Sequence, residues 1–125
     1  MSETQKLNVV IVGVDGTPHQ ETWTSTTSRD TLAWLQDTVG GLVDVVALTD
    51  TIDMWLNDEG IYQCEPNPAA TLLAADLSGH GVHQMFYGPA VFTGGCDEDG
   101  TTLGLSAPAA AAVFSGPAKG LNGRR

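Results

Sequence analysis

Residues Trp55 to Pro68, WLNDEGIYQCEPNP, bring together the carboxylates of Asp58, Glu59 and Glu65, the amides of Asn57 and Asn67, and the thiol of Cys64. Paired carboxylates can serve as acid and base when burial raises the pKa of one of them. The spacing here favours a turn instead. Asn57-Asp58-Glu59-Gly60 has turn composition, with a glycine free to take positive φ, and carboxylates at a turn tip stay solvated. Cys64, beside Glu65 and Pro66, lacks the positive surroundings that favour a thiolate.

Two further stretches could hold a metal. CDEDG (Cys96 to Gly100) is rich in carboxylates, but a calcium-binding EF-hand loop starts on Asp and carries Glu six residues after its glycine. Those positions are Gly95 and Ser106. In HGVH, His80 and His83 are three apart, and two ligands make no zinc site unless Cys64, Cys96 or His19 converges on them. No Gly-x-Ser-x-Gly is present, and GVDGTPHQ lacks the lysine of a phosphate loop. No catalytic residue, no metal site and no cofactor is expected, and the chain reads as a non-enzyme. Cys64 and Cys96 lie far apart and outside any CxxC spacing, so free thiols in a reducing compartment are expected.

Charge narrows the classes of partner. The 125 residues carry a formal net charge of −10, and four of the five basic residues (Lys6, Lys119, Arg124 and Arg125) flank the body. Between Leu7 and Ala118 there are 14 acidic residues against Arg29 alone, a formal charge of −13. Direct binding to DNA or RNA is excluded as an expectation, because phosphate affinity comes from Lys and Arg. Such a field favours solubility, and it also complements a basic protein surface. Asp30, Asp37, Asp58, Glu59, Asp97, Glu98 and Asp99 are the candidate partner-facing carboxylates. No run of about 18 apolar residues exists to span a bilayer. The N-terminal MSETQK lacks the basic-then-apolar order of a secretion signal, so a cytoplasmic protein is expected.

The elements that must position these residues read as one α+β domain. KLNVVIVGVDG predicts a strand over 7–14 and a turn at Asp15-Gly16, with HQETWT returning as a strand near an edge. Residues 28–39 form a helix capped by Thr27 or Ser28, with Leu32, Leu35 and Val39 on one face and Gly40-Gly41 as its stop. LVDVVALT (42–49) reads as a buried, central strand, DMWL as the next, and IYQ as the return of a hairpin through NDEG. Asn67 and Pro68 open a short helix to about Leu77. QMFYG, AVFTG and TTLGL read as strands. The order ββ-α-β-ββ-α-β-ββ implies a mostly antiparallel sheet with two short helices on one face. The expected divisions are a flexible 1–6, a globular 7–105, and an Ala/Gly-rich, partly disordered 106–125.

Several stretches together resemble the domain of unknown function 3846 family over residues 30–105. They are LQDTVGGLVDVV, LNDEG, NPAATLL and GPAVFTGGCDEDG. The residues that carry the resemblance are Gly40, Gly41 and Asp44, then Asn57, Glu59 and Gly60, then Asn67, Ala70 and Thr71. HQMFYG departs from the pattern, having no Asp where the family has one. The resemblance implies a short protein of actinobacteria, their phages or other mobile elements, and it implies no particular activity.

Asp44 interrupts an apolar run, and a buried carboxylate needs partners. Strand alternation would turn it to solvent. Otherwise Asn57, Asn67 or Thr71 would donate to it in a polar cluster that is structural or that lines a small-ligand pocket. The reading expected from the sequence is therefore a small acidic accessory protein, encoded by a phage or mobile element, that binds a basic host protein in the host cytoplasm. The alternatives are a small-molecule or nucleotide-binding module built on Asp44, Asn57, Asn67 and Thr71, and an uncharacterised enzyme.

Overall fold

The computed structural model describes the backbone of residues 5–25, 28–79, 81, 84–98 and 101–122, and the side chains of these apart from 5, 25, 28, 29 and 115–122. Expectations placed on residues 1–4, on Thr27 and the Ser28 side chain, on His80, His83 and Asp99, and on the arginines at 124 and 125 lie outside the described residues.

The chain opens with a hairpin of β1 (Gln5–Val12) and β2 (Pro18–Ser25). At its turn the Asp15 carboxylate accepts the Thr17 N–H at 2.9 Å. β2 is an edge strand, in keeping with its leading proline and polar sequence. Helix α1 (Ser28–Val39) follows and stops where expected: the N–H groups of Gly40 and Gly41 both reach the Gln36 carbonyl, with Gly40 at φ 85°. A second hairpin joins β3 (Val43–Thr49) to β4 (Ile52–Asn57). After it come α2 (Gly60–Gln63), α3 (Pro68–Ser78), β5 (Ala90–Thr93) and α4 (Ala107–Asn122). The sheet order is β2-β1-β5-β4-β3, and every neighbouring pair is antiparallel. The last strand in sequence thus slots between the two hairpins. The fold is a single-domain α+β structure on an antiparallel sheet.

Both faces of that sheet are covered. Leu7, Val9 and Val91 pack with Leu35 and Val39 of α1 on one side. Val10, Val12, Met54, Leu56 and Phe92 pack with Leu73 of α3 and Val113 of α4 on the other. The expectation of helices on one face is corrected by this arrangement. The reason lies in the inner strands: β1 is apolar at successive positions and all four residues of β5 are buried, so either face left bare would put apolar surface in water.

Other boundaries move as well. Gln5 and Lys6 pair with Ser25 and Thr24, so the packed body begins before residue 7. Ala110 and Val113 are buried, so it continues past residue 105 into α4. Residues 61–63 form a helical turn rather than a strand. QMFYG and TTLGL form no strands: Tyr87 makes an isolated bridge with Pro66 and Thr102 one with Cys96, and Leu103 exchanges backbone hydrogen bonds with Gly94 and Gly95. On α1 the buried positions are Thr31, Leu35 and Val39, while Leu32 is exposed.

Candidate functional site

The polar residues singled out in the sequence separate into two internal knots and one surface carboxylate. Asn67 is fully buried at the start of α3. Its Nδ2 donates to the backbone oxygens of Val12 (3.0 Å) and Gly88 (2.8 Å), and its Oδ1 accepts the Ala70 N–H (3.0 Å). That uses both amide hydrogens and the oxygen. The Thr71 hydroxyl, one turn on, donates to the Asn67 carbonyl and accepts the Phe86 N–H, each at 2.9 Å. A proline at the first helical position, an asparagine cap and a threonine able to bond back to the preceding turn make this local geometry legible from NPAAT.

Asn57 forms the second knot at the end of β4. Its Nδ2 reaches the Val39 carbonyl and Gln63 Oε1, both at 3.2 Å, and its Oδ1 accepts the Glu59 N–H at 2.8 Å. Gln63 in turn donates to Glu59 Oε1 at 3.2 Å. The chain does turn at Asp58 and Glu59, but the hairpin expected through NDEG is corrected. Gly60 is the first residue of α2 and is not at positive φ, and the contacts of Asn57 and Gln63 hold the coil in place of a returning strand. The glycines of the motif are places of close approach. A Cβ on Gly41 would lie 3.0 Å from Asn57 Nδ2, and one on Gly60 would lie 3.0 Å from the Tyr87 carbonyl oxygen.

Asp44 joins neither knot. β3 is an edge strand, not a central one, and Asp44 is exposed on it. Its register partner is Leu56, which places it on the α3 side of the sheet. There it lines a surface cavity of about 320 Å³ together with Asn57, Gly60, Phe86 and Tyr87. Thr71 instead lines an adjoining cavity of about 220 Å³ beneath Val46 and Leu48. The expected cluster of Asp44, Asn57, Asn67 and Thr71 is thus not assembled. The three uncharged members spend their hydrogen bonds on backbone, on Gln63 and on one another, and the carboxylate faces water.

The acidic residues do face solvent. Every acidic side chain described between Leu7 and Phe114 is exposed except the half-buried Asp53. Burial lifts the Asp53 carboxyl above its ordinary pKa, while hydrogen bonds from Thr17 pull that of Asp15 down. The carboxylates do not share one face. Asp30 and Asp37 stand on α1, whereas the antiparallel pairing of β4 and β5 sets Asp58 and Glu59 at the opposite end of the sheet from Asp97 and Glu98. Cys64 and Cys96 are both free, half-buried and exposed respectively. Among the described residues no three His, Cys, Asp or Glu side chains gather as a metal would require.

Sequence reading missed one arrangement. Trp23 of β2 and Trp34 of α1 stack with ring centroids 4.9 Å apart and planes 14° from parallel. A pair 11 positions apart, on a strand and the helix after it, leaves no motif in the sequence.

Among the described residues, no helix is long and apolar enough to cross a membrane. A family model described as a domain of unknown function (DUF3846) matches residues 7–114. No curated protein and no solved structure matches the chain.

Proposed function

The chain belongs to the DUF3846 family, and from that premise we propose that it is a non-catalytic accessory protein, encoded by an actinobacterial phage or mobile element, that binds a basic protein of the host cytoplasm. The observation that carries this reading is the solvent-facing charge: −13 between Leu7 and Ala118, with nearly all of its described carboxylates exposed. Exposed charge of one sign speeds encounter with a surface of the other and selects against acidic partners. The non-catalytic part of the reading draws on the polar knots. Apart from the exposed Asp44, the residues that carry the family resemblance sit at turns, helix ends and close backbone approaches, and Asn57, Asn67 and Thr71 have their hydrogen-bonding groups already engaged within the fold.

The test is capture from a lysate of an actinobacterial cell, with the retained protein identified by mass spectrometry. The expected result is a basic protein that is held less well by a variant carrying Asp30→Asn, Asp37→Asn, Asp58→Asn and Glu59→Gln. Retention of a neutral or acidic protein, equal retention by the variant, or no specific retention at all contradicts the proposal.

A further inference from the structure

The stacked tryptophans lie at a surface cavity of about 450 Å³ lined by Trp23, Thr24, Asp30, Ala33, Trp34 and Asp37. Positions 30, 33, 34 and 37 share one face of an α-helix, so the two carboxylates stand about one turn to either side of Trp34. Both rings are half-buried and rest on the cluster of Leu7, Val9, Leu35, Val39 and Val91.

A pair of rings that only covered the core would need no carboxylates beside it, and a buried indole N–H would be expected to find an acceptor. Trp55, on the same side of the sheet, behaves that way: its N–H donates to Thr93 Oγ1 at 2.9 Å. The Trp23 N–H is buried and has no acceptor among the described residues, and the contacts the ring makes with them are stacking and apolar. Indole faces attract cations, most of all a planar guanidinium that can stack on the ring while its N–H fork reaches a carboxylate.

We propose that the Trp23–Trp34 cavity, with Asp30 and Asp37, is a recognition site for an arginine side chain of a basic protein segment. The inference rests on the basic-partner reading and gives it a place on the molecule. The carboxylates supply the opposite charge, and the indole stack supplies a flat apolar surface beside them. Arginine fits better than lysine, because a strongly hydrated ammonium neither stacks nor forks.

The probe is a short peptide of alternating arginine and glycine, with its lysine counterpart, titrated at low salt into the full-length ¹⁵N-labelled protein. The indole N–H signals of Trp23, Trp34 and Trp55 report on the site separately. The expected result is saturable shifts at Trp23 and Trp34 but not at Trp55, with the lysine peptide weaker and Asp37→Asn lowering arginine-peptide affinity by roughly three- to tenfold. Asp37 is exposed, so this variant leaves the packing intact. Peptide binding that leaves Trp23 and Trp34 unshifted, or that ignores Asp37→Asn, overturns the site while the basic-partner reading stands. Failure of both peptides to bind at all overturns the two together.

Discussion

The side-chain amide of Asn67 donates to the backbone oxygen of Val12 at 3.0 Å, across 55 positions of the chain. Its second hydrogen goes to Gly88, just ahead of β5, so one carboxamide ties the start of α3 to two adjacent strands of the sheet. A residue with the look of a ligand-binding asparagine is in fact a rivet.

Asn67→Ala removes a helix cap and strands two buried carbonyls, and it should lower unfolding free energy by about 2–4 kcal/mol in denaturant titrations. Asn67→Asp keeps the cap acceptor but turns a carboxylate toward the Val12 and Gly88 carbonyls, so it should be at least as damaging. A cost below about 1 kcal/mol for both would remove the rivet from the account.

Asp44→Ala should change stability by less than about 0.5 kcal/mol, as expected for an exposed edge position with room around it. A loss above about 1 kcal/mol in the same titration would mean that Asp44 has a polar partner after all.

Helix α4 is tested at Val113, which is fully buried. Val113→Ala should cost about 1–3 kcal/mol, whereas Phe114→Ala next to it, exposed, should cost less than about 1 kcal/mol. Equal and negligible effects would detach α4 from the body.

Asp53 gives a signed pH dependence. Burial raises its folded-state pKa, so the folded protein holds this proton more tightly than the unfolded chain does. Its ionisation therefore weakens the fold as pH rises from the ordinary carboxylate value through the raised one, and the penalty is complete above that. Asp53→Asn should melt at or above the wild-type temperature at neutral pH, with the difference fading once the pH falls below the ordinary carboxylate range. A variant that is less stable at neutral pH would give Asp53 a stabilising role.

The parts of the fold written in short-range signals were legible in the sequence. Asp15-Gly16 closes the first hairpin, Gly40 stops α1, and Asn67-Pro68 starts α3, each as its residue types require. What depends on distant pairing was not. VDVVAL reads as an interior strand because it is β-branched and nearly unbroken. Yet β5, much later in the chain, takes the place between the hairpins and leaves β3 at the edge with Asp44 in water. IYQ has strand composition, but the bonds from Asn57 and the fit of Gly60 against Tyr87 coil it instead. The stack of Trp23 on Trp34 joins two elements with no motif between them, so it had no short-range signature at all.

The central claim, that solvent-facing carboxylates recognise a basic partner, is tested most directly by the salt dependence of the dissociation constant for the captured protein. Raising salt from about 50 mM to about 500 mM shortens the screening length from about 14 Å to about 4 Å. The account predicts that affinity falls at least tenfold over that range, chiefly through slower association. An affinity unchanged between the two salt concentrations would contradict it.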